Sequence, residues 1–454
     1  MQEFISTLLK NINDIVWGVP MIVILVGTHI FLTVRLKFIQ KYFIKGIKLS
    51  LKPDDESKGE VSQFGALATA LAATIGTGNI VGVSTAISYG GPGAVFWTWM
   101  TGIFGMATKY AESLLSMSFR SKNAAGEVVG GPMYVLEKAL RMKWLGILFA
   151  IFTAIATLGT GCAVQSHAIS NVLKVNYDVP SWFVGLIITI FTAFVIIGGV
   201  KKIAKVCEKL VPFMALFYIV GCIIILVINY NFIVEAIALI VKEAFSMKSV
   251  AGGLLGRGMI IACRFGIARG LFSNESGLGT APIISATAKS KNPCRQALVS
   301  MTGTFYDTVI VCAITGIVIV SSMLHFPQAY VSANPDELTN LAFSIIPNDI
   351  GRAVLSISLT IFAFTTILGW AYYGEKCVEY LFGQKGVKVY RVVFLAILMI
   401  GAVTNLAIIW NFSDIMNGLM VIPNVISLIL LSKFIVNKTK YFIWEDRLDE
   451  VEII

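Results

Sequence analysis

Residues 70–93 read ALAATIGTGNIVGVSTAISYGGPG, and residues 263–284 read CRFGIARGLFSNESGLGTAPII. In each stretch an apolar run is interrupted near its middle by glycine and polar residues, at 76–79 and at 273–279. Glycine weakens a helix by about 1 kcal/mol relative to alanine. Unpaired backbone in lipid is costly, so such interruptions persist only where they line a cavity or bind something. The two stretches therefore predict two membrane helices broken at the midplane.

Tight packing between helices would also account for these glycines, because Gly78 and Gly82 form a small-xxx-small pair. Packing leaves the polar side chains at both interruptions unaccounted for. Asn79 lies at the first break, and Ser-Asn-Glu follows at 273–275 in the second. We therefore prefer the broken-helix interpretation.

The composition excludes an ordinary soluble protein. The 454 residues are 56% hydrophobic and 14% charged, whereas soluble proteins carry roughly 45–50% apolar and about 25% charged residues. The net charge of +10 does not indicate a nucleic-acid partner, because the basic residues lie between apolar runs. The seven cysteines are scattered singly, which supports neither a disulfide framework nor a zinc site. The sequence predicts an all-α polytopic membrane protein whose partner is the lipid bilayer.

Apolar runs predict eleven transmembrane helices, the first of them a retained span. Of the 36 Lys and Arg residues, 27 fall in alternate connections, six fall on the opposite side and three lie inside spans. Because Lys and Arg stay cytoplasmic, this alternation predicts an external N-terminus and a cytoplasmic C-terminus in the cell membrane. The predicted spans are 15–34, 62–89, 93–118, 144–171, 181–200, 206–229, 258–288, 295–322, 351–381, 390–408 and 410–436.

The two broken spans lie five spans apart and therefore cross the membrane in opposite directions. This arrangement is typical of two five-helix repeats in inverted topology, with a binding site where the broken helices meet at the midplane. The predicted organisation is an extra N-terminal helix with a basic linker (1–60), a first repeat (61–229), an outer amphipathic connection (230–257), a second repeat (258–436) and a cytoplasmic tail (437–454).

The helix ends at the breaks carry complementary partial charges. The second half-helix of the first broken span begins near Gly78, and its free N–H groups suit a carboxylate. The first half-helix of the second broken span is expected to end between Gly270 and Phe272, where its free carbonyls suit an ammonium group or Na⁺. A zwitterionic amino acid fits between the two ends.

Residues 90–105, GGPGAVFWTWMTGIFG, resemble the signature segment of the alanine or glycine:cation symporter family, with Thr98 where we expect methionine. The stretches GTGNIVG (76–82) and SNESGLGTAP (273–282) are similar to that family as well. The resemblance covers essentially the whole chain. It implies Na⁺-coupled or H⁺-coupled uptake of small neutral amino acids such as alanine and glycine. It also implies a leucine-transporter-like 5+5 inverted repeat with one extra N-terminal helix.

The resemblance also implies roles for individual residues. Thr365 and Thr366 resemble the paired hydroxyls of an Na⁺ site, although hydrogen bonding to a carbonyl of their own helix is an alternative role. For Gln165 an interhelical hydrogen bond is an alternative to substrate contact, and for Trp370 the alternative is contact with lipid or packing. The implied substrate contacts are Thr77, Gly78, Asn79, Gln165, Phe272, Ser273, Asn274, Gly277 and Trp370. The implied Na⁺ ligands are Ala72, Ile75, Thr365 and Thr366, with Thr74, Asn79, Ser273 and Asp307 as a second cation site.

Ionisable residues within spans are expensive and indicate function. Glu275 and Asp307 keep H⁺ coupling open, and a structural ion pair is an alternative role for Asp307. Lys109 and Glu112, three residues apart, predict a local pair. A salt bridge from Arg264 or Arg269 to Asp414 is predicted to close the outer vestibule.

No motif of the commoner hydrolases or of ATP-driven pumps is present in the sequence, so we expect neither an enzyme nor an organic cofactor. Two opposed broken helices favour alternating access over a channel, which would need rings of carbonyls or charges. An amino-acid-gated channel or a receptor remains the less favoured alternative. The sequence leaves the oligomeric state open.

Overall fold

The computed structural model describes residues 2–52, 59–246, 258–331, 333–335, 337–404 and 407–452. Parts of the predicted basic linker (53–58) and of the predicted outer connection (247–257) lie outside the described residues. Within the described residues the chain is almost wholly helical, as predicted. One two-stranded antiparallel hairpin, β1 (Ser121–Lys122) and β2 (Val128–Val129), joins two helices.

Twenty-one α-helices are described. They are α1 Gln2–Val16, α2 Val19–Arg35, α3 Phe43–Ser50, α4 Gln63–Thr74, α5 Val83–Gly90, α6 Gly93–Ser118, α7 Pro132–Lys138, α8 Lys143–Leu158, α9 Val164–Tyr177, α10 Ser181–Ile196, α11 Gly199–Ile228, α12 Ile233–Ala244, α13 Met259–Asn274, α14 Ala281–Ser285, α15 Pro293–Thr304, α16 Ala313–His325, α17 Pro327–Tyr330, α18 Leu338–Phe343, α19 Ile350–Val403, α20 Ala407–Leu430 and α21 Ser432–Thr439.

Four π-helical segments and two short 3₁₀ turns connect these helices. π-Helical turns carry an extra residue per turn and occur frequently at functional sites. The 3₁₀ turns are Ile39–Tyr42 and Tyr230–Phe232, and the π-helical segments are Gly78–Gly82, Gly159–Ala163, Phe305–Cys312 and Lys440–Trp444.

Among the described residues, six helices are long and apolar enough to cross a membrane. The number is seven if the bent pair Gln63–Thr74 and Gly78–Gly90, whose axes differ by 53°, counts as one span. The described part of each predicted span contains helix. The predicted spans that do not meet this length criterion are interrupted or, like α10, too short. The chain is thus a multi-pass membrane protein, whereas the number of eleven spans stays a prediction.

The surface and interior of the bundle differ as a lipid environment requires. Large apolar side chains such as Phe191, Phe194 and Leu216 are exposed on α10 and α11, where they would contact lipid. The interior is packed closely through small residues: a β-carbon on Gly369 would lie 3.0 Å from the Cα and N atoms of Ala73. This contact brings α19 directly against α4, the first half of the first broken span.

A glycine kink divides α19. Gly383 has φ 67° and ψ −167°, which is not helical, so α19 consists of two helices that meet at this residue. The two predicted spans 351–381 and 390–408 therefore correspond to the two sides of this kink within the described residues. The first side carries Thr366 and Trp370.

Candidate functional site

The first break lies where the sequence predicts it. Helix α4 ends at Thr74, Ile75 is extended at φ −76° and ψ 93°, and helix resumes at Thr77. The side chain of Asn79 holds the break, because its Oδ1 accepts the Gly76 N–H at 2.9 Å. Thr77 and Gly78 begin the next helical turn, where N–H groups lack intrahelical acceptors.

The second break lies further along the chain than predicted. Helix α13 continues to Asn274 and ends where Glu275 adopts a left-handed conformation at φ 54°. Gly277 and Gly279 also have positive φ, 93° and 84°, which glycine adopts at no steric cost. The expected carbonyl end at 270–272 is therefore wrong by a few residues, and the break spans 275–280.

Glu112 of α6 holds the second break in place. Its Oε1 accepts the N–H groups of Gly277 at 3.0 Å and Gly279 at 3.1 Å, and the Asn424 side chain donates to the same oxygen at 2.6 Å. Within the described residues Glu112 forms no ion pair with Lys109, whose Nζ is buried without a hydrogen-bond partner. The predicted Lys109–Glu112 pair is therefore replaced by a contact between helix and break.

The first break lies against the end of α13, and a small cavity lies between the two broken helices. A β-carbon on Gly78 would lie 3.6 Å from both the Phe272 ring and the Ser273 Cα. The cavity has a volume of about 20 Å³, which is enough for one water molecule. Its lining comprises Ala73, Thr74, Gly76, Thr77, Gly78, Thr160, Gln165, Phe272, Ser273, Glu275, Leu278, Thr366, Trp370 and Asn417.

Two acceptors in the cavity wall lack partners among the described residues. Gln165 Nε2 donates to the Thr160 carbonyl at 3.2 Å, and Asn417 Nδ2 donates to Thr160 Oγ1 at 2.9 Å. These bonds orient both amides, yet Gln165 Oε1 and Asn417 Oδ1 are buried and unpaired. Because a buried acceptor is costly when left unpaired, the pair suits a ligand that carries N–H donors.

Thr366 contacts the carbonyl end of α4. Its Oγ1 lies 3.1 Å from Ala72 O and 3.4 Å from Ile75 O, and it also donates to Phe362 O at 3.0 Å. Thr365 points elsewhere: its Oγ1 bonds to Phe362 O at 3.0 Å and lies 3.3 Å from Met214 Sδ. Three oxygens from α4 and Thr366 thus converge, and oxygen ligands are those that hard cations take.

Asp307 is the centre of a second polar cluster. Asn79 Nδ2 donates to its Oδ1 at 2.7 Å, and Ser273 Oγ and Thr308 Oγ1 donate to its Oδ2 at 3.1 Å and 2.6 Å. The cluster therefore joins both breaks to the π-helical segment of residues 305–312. Thr74, predicted to belong here, bonds instead to Leu71 O at 3.4 Å and lines the cavity.

Two buried carboxylates near the cavity, Asp307 and Glu275, lie near the same buried lysine, Lys109. Asp307 and Glu275 have no ion-pair partner among the described residues, and both lie within electrostatic reach of Lys109. Lys109 is 3% exposed. A buried charge is costly unless neighbouring charge compensates it, so the lysine offsets part of the acidic charge around the breaks.

Trp370 closes one side of the cavity. Its Nε1 donates to Ala73 O at 3.2 Å, so α19 contacts the carbonyls of residues 72, 73 and 75 through Thr366 and Trp370 together. A β-carbon on Gly161 would lie 2.2 Å from the Trp370 Cβ. The tryptophan therefore fits only because residue 161 has no side chain.

The predicted gating residues are only partly brought together. Asp414 Oδ2 accepts from Asn13 Nδ2 at 3.3 Å, and the Asp414 carbonyl accepts from Trp17 Nε1 at 2.9 Å. Arg269 lies within electrostatic reach of Asp414 without forming an ion pair among the described residues. Arg264 is exposed and stacks near the Phe265 ring. The part of α20 around Asp414 is thus held by the N-terminal segment in this structure.

Most predicted substrate contacts reach the cavity, and three brace the breaks instead. Asn79 and Gly277 make the bonds described above, and Asn274 Oδ1 accepts the Ser276 N–H at 2.9 Å. The predicted contacts that line the cavity are Thr77, Gly78, Gln165, Phe272, Ser273 and Trp370.

Sequence reasoning missed Thr160 and Asn417 and assigned Glu275 no firm role, although all three line the cavity. A signal for Thr160 was present, because Gly-Thr-Gly at 159–161 repeats the Gly-Thr-Gly of the first break at 76–78. Asn417 follows Asn411, Ser413 and Asp414 in the same predicted span, and no motif distinguishes it from these neighbours.

Comparison with known proteins gives the same family as the sequence. The model of the sodium:alanine symporter family matches residues 2–453. The chain is 46% identical to "Sodium/alanine symporter AgcS" of Methanococcus maripaludis, with 97% of each chain covered. It is 35% identical to "Putative sodium/proton-dependent alanine carrier protein YrbD" of Bacillus subtilis, with 95% of this chain and 90% of that protein covered.

A solved structure shows the fold independently. "Crystal structure of MhsT in complex with L-phenylalanine" matches with a TM-score of 0.55 at 14% identity, covering 85% of this chain and 99% of that chain. MhsT has the leucine-transporter fold. The overall helical arrangement is therefore leucine-transporter-like, as the family resemblance implied.

Proposed function

The chain belongs to the sodium:alanine symporter family, and we propose that it couples inward Na⁺ flux to uptake of small neutral amino acids, alanine and glycine, by alternating access. Amino acid:cation symport is the activity of this family, so the chain is a membrane transporter and not an enzyme. One observation carries the finer proposal. The first helix break and the end of α13 line one small cavity, whose wall includes Thr77 and Gly78 at a helix start and the unpaired acceptors Gln165 Oε1 and Asn417 Oδ1.

The cavity suits both ends of a zwitterion. The N–H groups of Thr77 and Gly78, at the start of a helix, favour the substrate carboxylate. The unpaired oxygens of Gln165 and Asn417 accept from the ammonium group. Together these contacts leave no charged group of the substrate without a partner.

The walls favour a small side chain. Phe272, Leu278 and Trp370 line a cavity of only about 20 Å³. Alanine requires an expansion of this space, and a longer side chain requires displacement of an aromatic ring. We therefore propose that the described state is contracted and that substrate entry separates the breaks from α19.

The cation sites are proposed on either side of the first break. Ala72 O, Ile75 O and Thr366 Oγ1 form the Na⁺ site, in which bound Na⁺ would fix the end of α4 before the substrate binds. Thr365 contributes less, because its hydroxyl faces Met214. Asn79, Ser273 and Asp307 form a second site for a cation. Alternating access would then follow from rocking of one helix bundle against the other.

The proposed orientation places the N-terminus outside and the C-terminus in the cytoplasm of the cell membrane. It rests on the distribution of Lys and Arg, 27 of which lie in one set of alternate connections. The salt bridge from Arg269 to Asp414 is retained as a proposed contact of the closed outer vestibule, because the two charges lie within electrostatic reach.

Uptake of labelled alanine into proteoliposomes tests the proposal. We expect accumulation under an imposed Na⁺ gradient and none under an imposed H⁺ gradient alone. Counterflow of labelled alanine in vesicles preloaded with unlabelled alanine distinguishes a carrier from a channel or a receptor. Absence of alanine uptake under both gradients would contradict the substrate assignment and leave the fold intact.

A pair of threonine variants tests the Na⁺ site. Thr366→Val keeps the shape of the side chain and removes the oxygen next to Ala72 O, so the Na⁺ concentration for half-maximal uptake should rise about tenfold. Thr153→Val is the matched control, because Thr153 is buried and bonds to the Phe149 carbonyl away from the cavity. An equal loss in both variants would contradict the site.

H⁺ coupling is the second candidate, and a specific observation favours it. Glu275 and Asp307 are buried carboxylates beside the substrate cavity without ion-pair partners among the described residues. A relative at 35% identity bears the name of a sodium/proton-dependent alanine carrier. Uptake driven by an H⁺ gradient in the absence of Na⁺, and lost in Asp307→Asn, would establish this alternative.

A further inference from the structure

The basic segment after α2 forms one side of a groove on the Lys- and Arg-rich face. Lys41, Lys45, Lys48 and Lys52 follow one another at spacings of four, three and four residues, which places them on one face of a helix. Helix α3 carries the two central lysines and lies directly against α15, because a β-carbon on Gly46 would lie 2.3 Å from the Leu298 carbonyl oxygen.

The groove has a volume of about 530 Å³ and is lined by both charged and apolar groups. Three lysines (45, 48 and 52) and Arg295 line it, together with the acids Asp446 and Asp449 of the C-terminal segment. Its apolar wall consists of Ile44, Leu49 and Leu448. Four cations against two carboxylates leave the groove with a net positive charge.

The basic side of the groove follows α2 in the chain, and α2 belongs to a helical stretch long and apolar enough to cross a membrane. Helix α2 ends at Arg35, and α3 begins eight residues later. Exposed apolar side chains continue from α2 onto this segment, including Val34, Phe38, Ile44 and Leu51, the last of which is 72% exposed. An exposed apolar strip beside a row of lysines is typical of a segment in the membrane interface.

We propose that this groove binds the phosphodiester headgroup of an anionic phospholipid of the cytoplasmic leaflet, with its acyl chains along the apolar strip. Clusters of four or more basic residues next to a membrane span attract anionic lipids. Arg295, 5% exposed, is held by Asp449 at 2.6 Å and by the Leu448 carbonyl at 3.3 Å, which fixes its guanidinium at the base of the groove.

The C-terminal segment competes with the headgroup for the same lysines. Lys45 Nζ lies 3.3 Å from Asp446 Oδ1, and the Asp446 side chain is 89% exposed. An exposed ion pair contributes little stability, so a phosphate can replace this carboxylate at Lys45. Lipid binding is therefore predicted to release Asp446 from Lys45.

Native mass spectrometry of the delipidated full-length protein in detergent tests the proposal. Dioleoyl-phosphatidylglycerol is titrated against dioleoyl-phosphatidylcholine, which has the same acyl chains, and against inorganic phosphate. We expect phosphatidylglycerol to bind at least about tenfold more tightly than phosphatidylcholine, and inorganic phosphate not to displace it. Equal binding of the two lipids, or displacement by inorganic phosphate, would overturn the lipid site.

Charge variants locate the site. Lys48→Gln combined with Lys52→Gln should weaken phosphatidylglycerol binding about tenfold without changing the phosphatidylcholine affinity. Lys385→Gln combined with Lys388→Gln, at exposed positions outside the groove, changes the net charge equally and should leave both affinities unchanged. A loss of equal size in the second pair would show a general charge effect and refute the groove.

Asp446→Asn is expected to increase the affinity for phosphatidylglycerol, and a misfolded variant would not bind the lipid more tightly. Removal of the competing carboxylate should strengthen phosphatidylglycerol binding about threefold, whereas unchanged or weaker binding would contradict the competition with Lys45. Unfolding temperatures without lipid should match that of the wild type in all variants, because every substituted side chain is at least partly exposed.

Discussion

Substitution of Gly76 by alanine tests the proposed Na⁺ site through geometry alone. A β-carbon at residue 76 would lie 2.5 Å from Thr366 Oγ1 and 3.5 Å from Thr366 Cβ. Carbon and oxygen atoms in contact need roughly 3.3 Å, so the hydroxyl must move by about 0.8 Å. It currently lies 3.1 Å from Ala72 O, and a rotation that relieves the clash separates these oxygens.

The energetic cost follows from the two effects together. An off-rotamer threonine costs about 0.5–1.5 kcal/mol, and a buried carbonyl left without its partner costs about 1–3 kcal/mol. Their sum, roughly 1.5–4.5 kcal/mol, corresponds to at least a tenfold rise in the Na⁺ concentration for half-maximal alanine uptake. Proteoliposome uptake across a series of Na⁺ concentrations measures this value.

A double-mutant cycle separates this mechanism from a general disturbance of the break. Thr366→Ala removes Oγ1, after which the nearest atom to the new β-carbon is an ordinary contact at 3.5 Å. Gly76→Ala should therefore change Na⁺ affinity less than about twofold in the Thr366→Ala background. Gly27→Ala is the control, because a β-carbon on Gly27 meets no atom within 4 Å. Additive effects in the cycle, or unchanged Na⁺ affinity in Gly76→Ala, would refute the reasoning.

Three further outcomes are expected. If a cation occupies the second site, Asp307→Asn should raise the Na⁺ concentration for half-maximal alanine uptake about tenfold. Uptake measured across a series of Na⁺ concentrations checks this. An unchanged value would show that Asp307 does not belong to the site. Glu112→Gln should lower the free energy of unfolding by about 1–3 kcal/mol, because a neutral amide replaces the carboxylate that accepts the N–H groups of Gly277 and Gly279. Thermal unfolding in detergent measures the loss. An unaltered unfolding temperature would contradict the anchoring role of Glu112. Trp17→Phe should speed hydrogen exchange in the part of α20 around Asp414, because the bond to the Asp414 carbonyl is lost. Unaltered exchange there would mean that the N-terminal segment does not restrain this part of the helix.

The sequence was sufficient to predict both helix breaks, because lipid rarely tolerates glycine and polar residues together within an apolar run unless they line a cavity. It did not place the end of α13, because the left-handed conformation at Glu275 is held by tertiary contacts that Glu112 makes with Gly277 and Gly279. The hydrophobic periodicity of the sequence is equally compatible with a helix that is one turn longer or shorter, so it does not fix where α13 ends.

The paired threonines show a second limit. Neighbouring residues on a helix point about 100° apart, and in this structure Thr365 and Thr366 face different groups. The structure directs Thr366 to Ala72 O and Thr365 to Met214. Which of the two faces the break depends on how α19 rotates against α4, and no local pattern specifies that rotation.

The π-helical segment Gly159–Ala163 has a consequence for the gene. Such a segment contains one residue more than an α-helix needs, so loss of one codon within it would restore regular helix and leave the length of the span sufficient. The same loss would turn Gln165 by about 100° relative to Thr157 and the rest of α8, away from the cavity. In-frame deletions of one residue within 159–163 should therefore be selected against, although the helix would still form. In an alignment of relatives, gaps should fall outside residues 159–163.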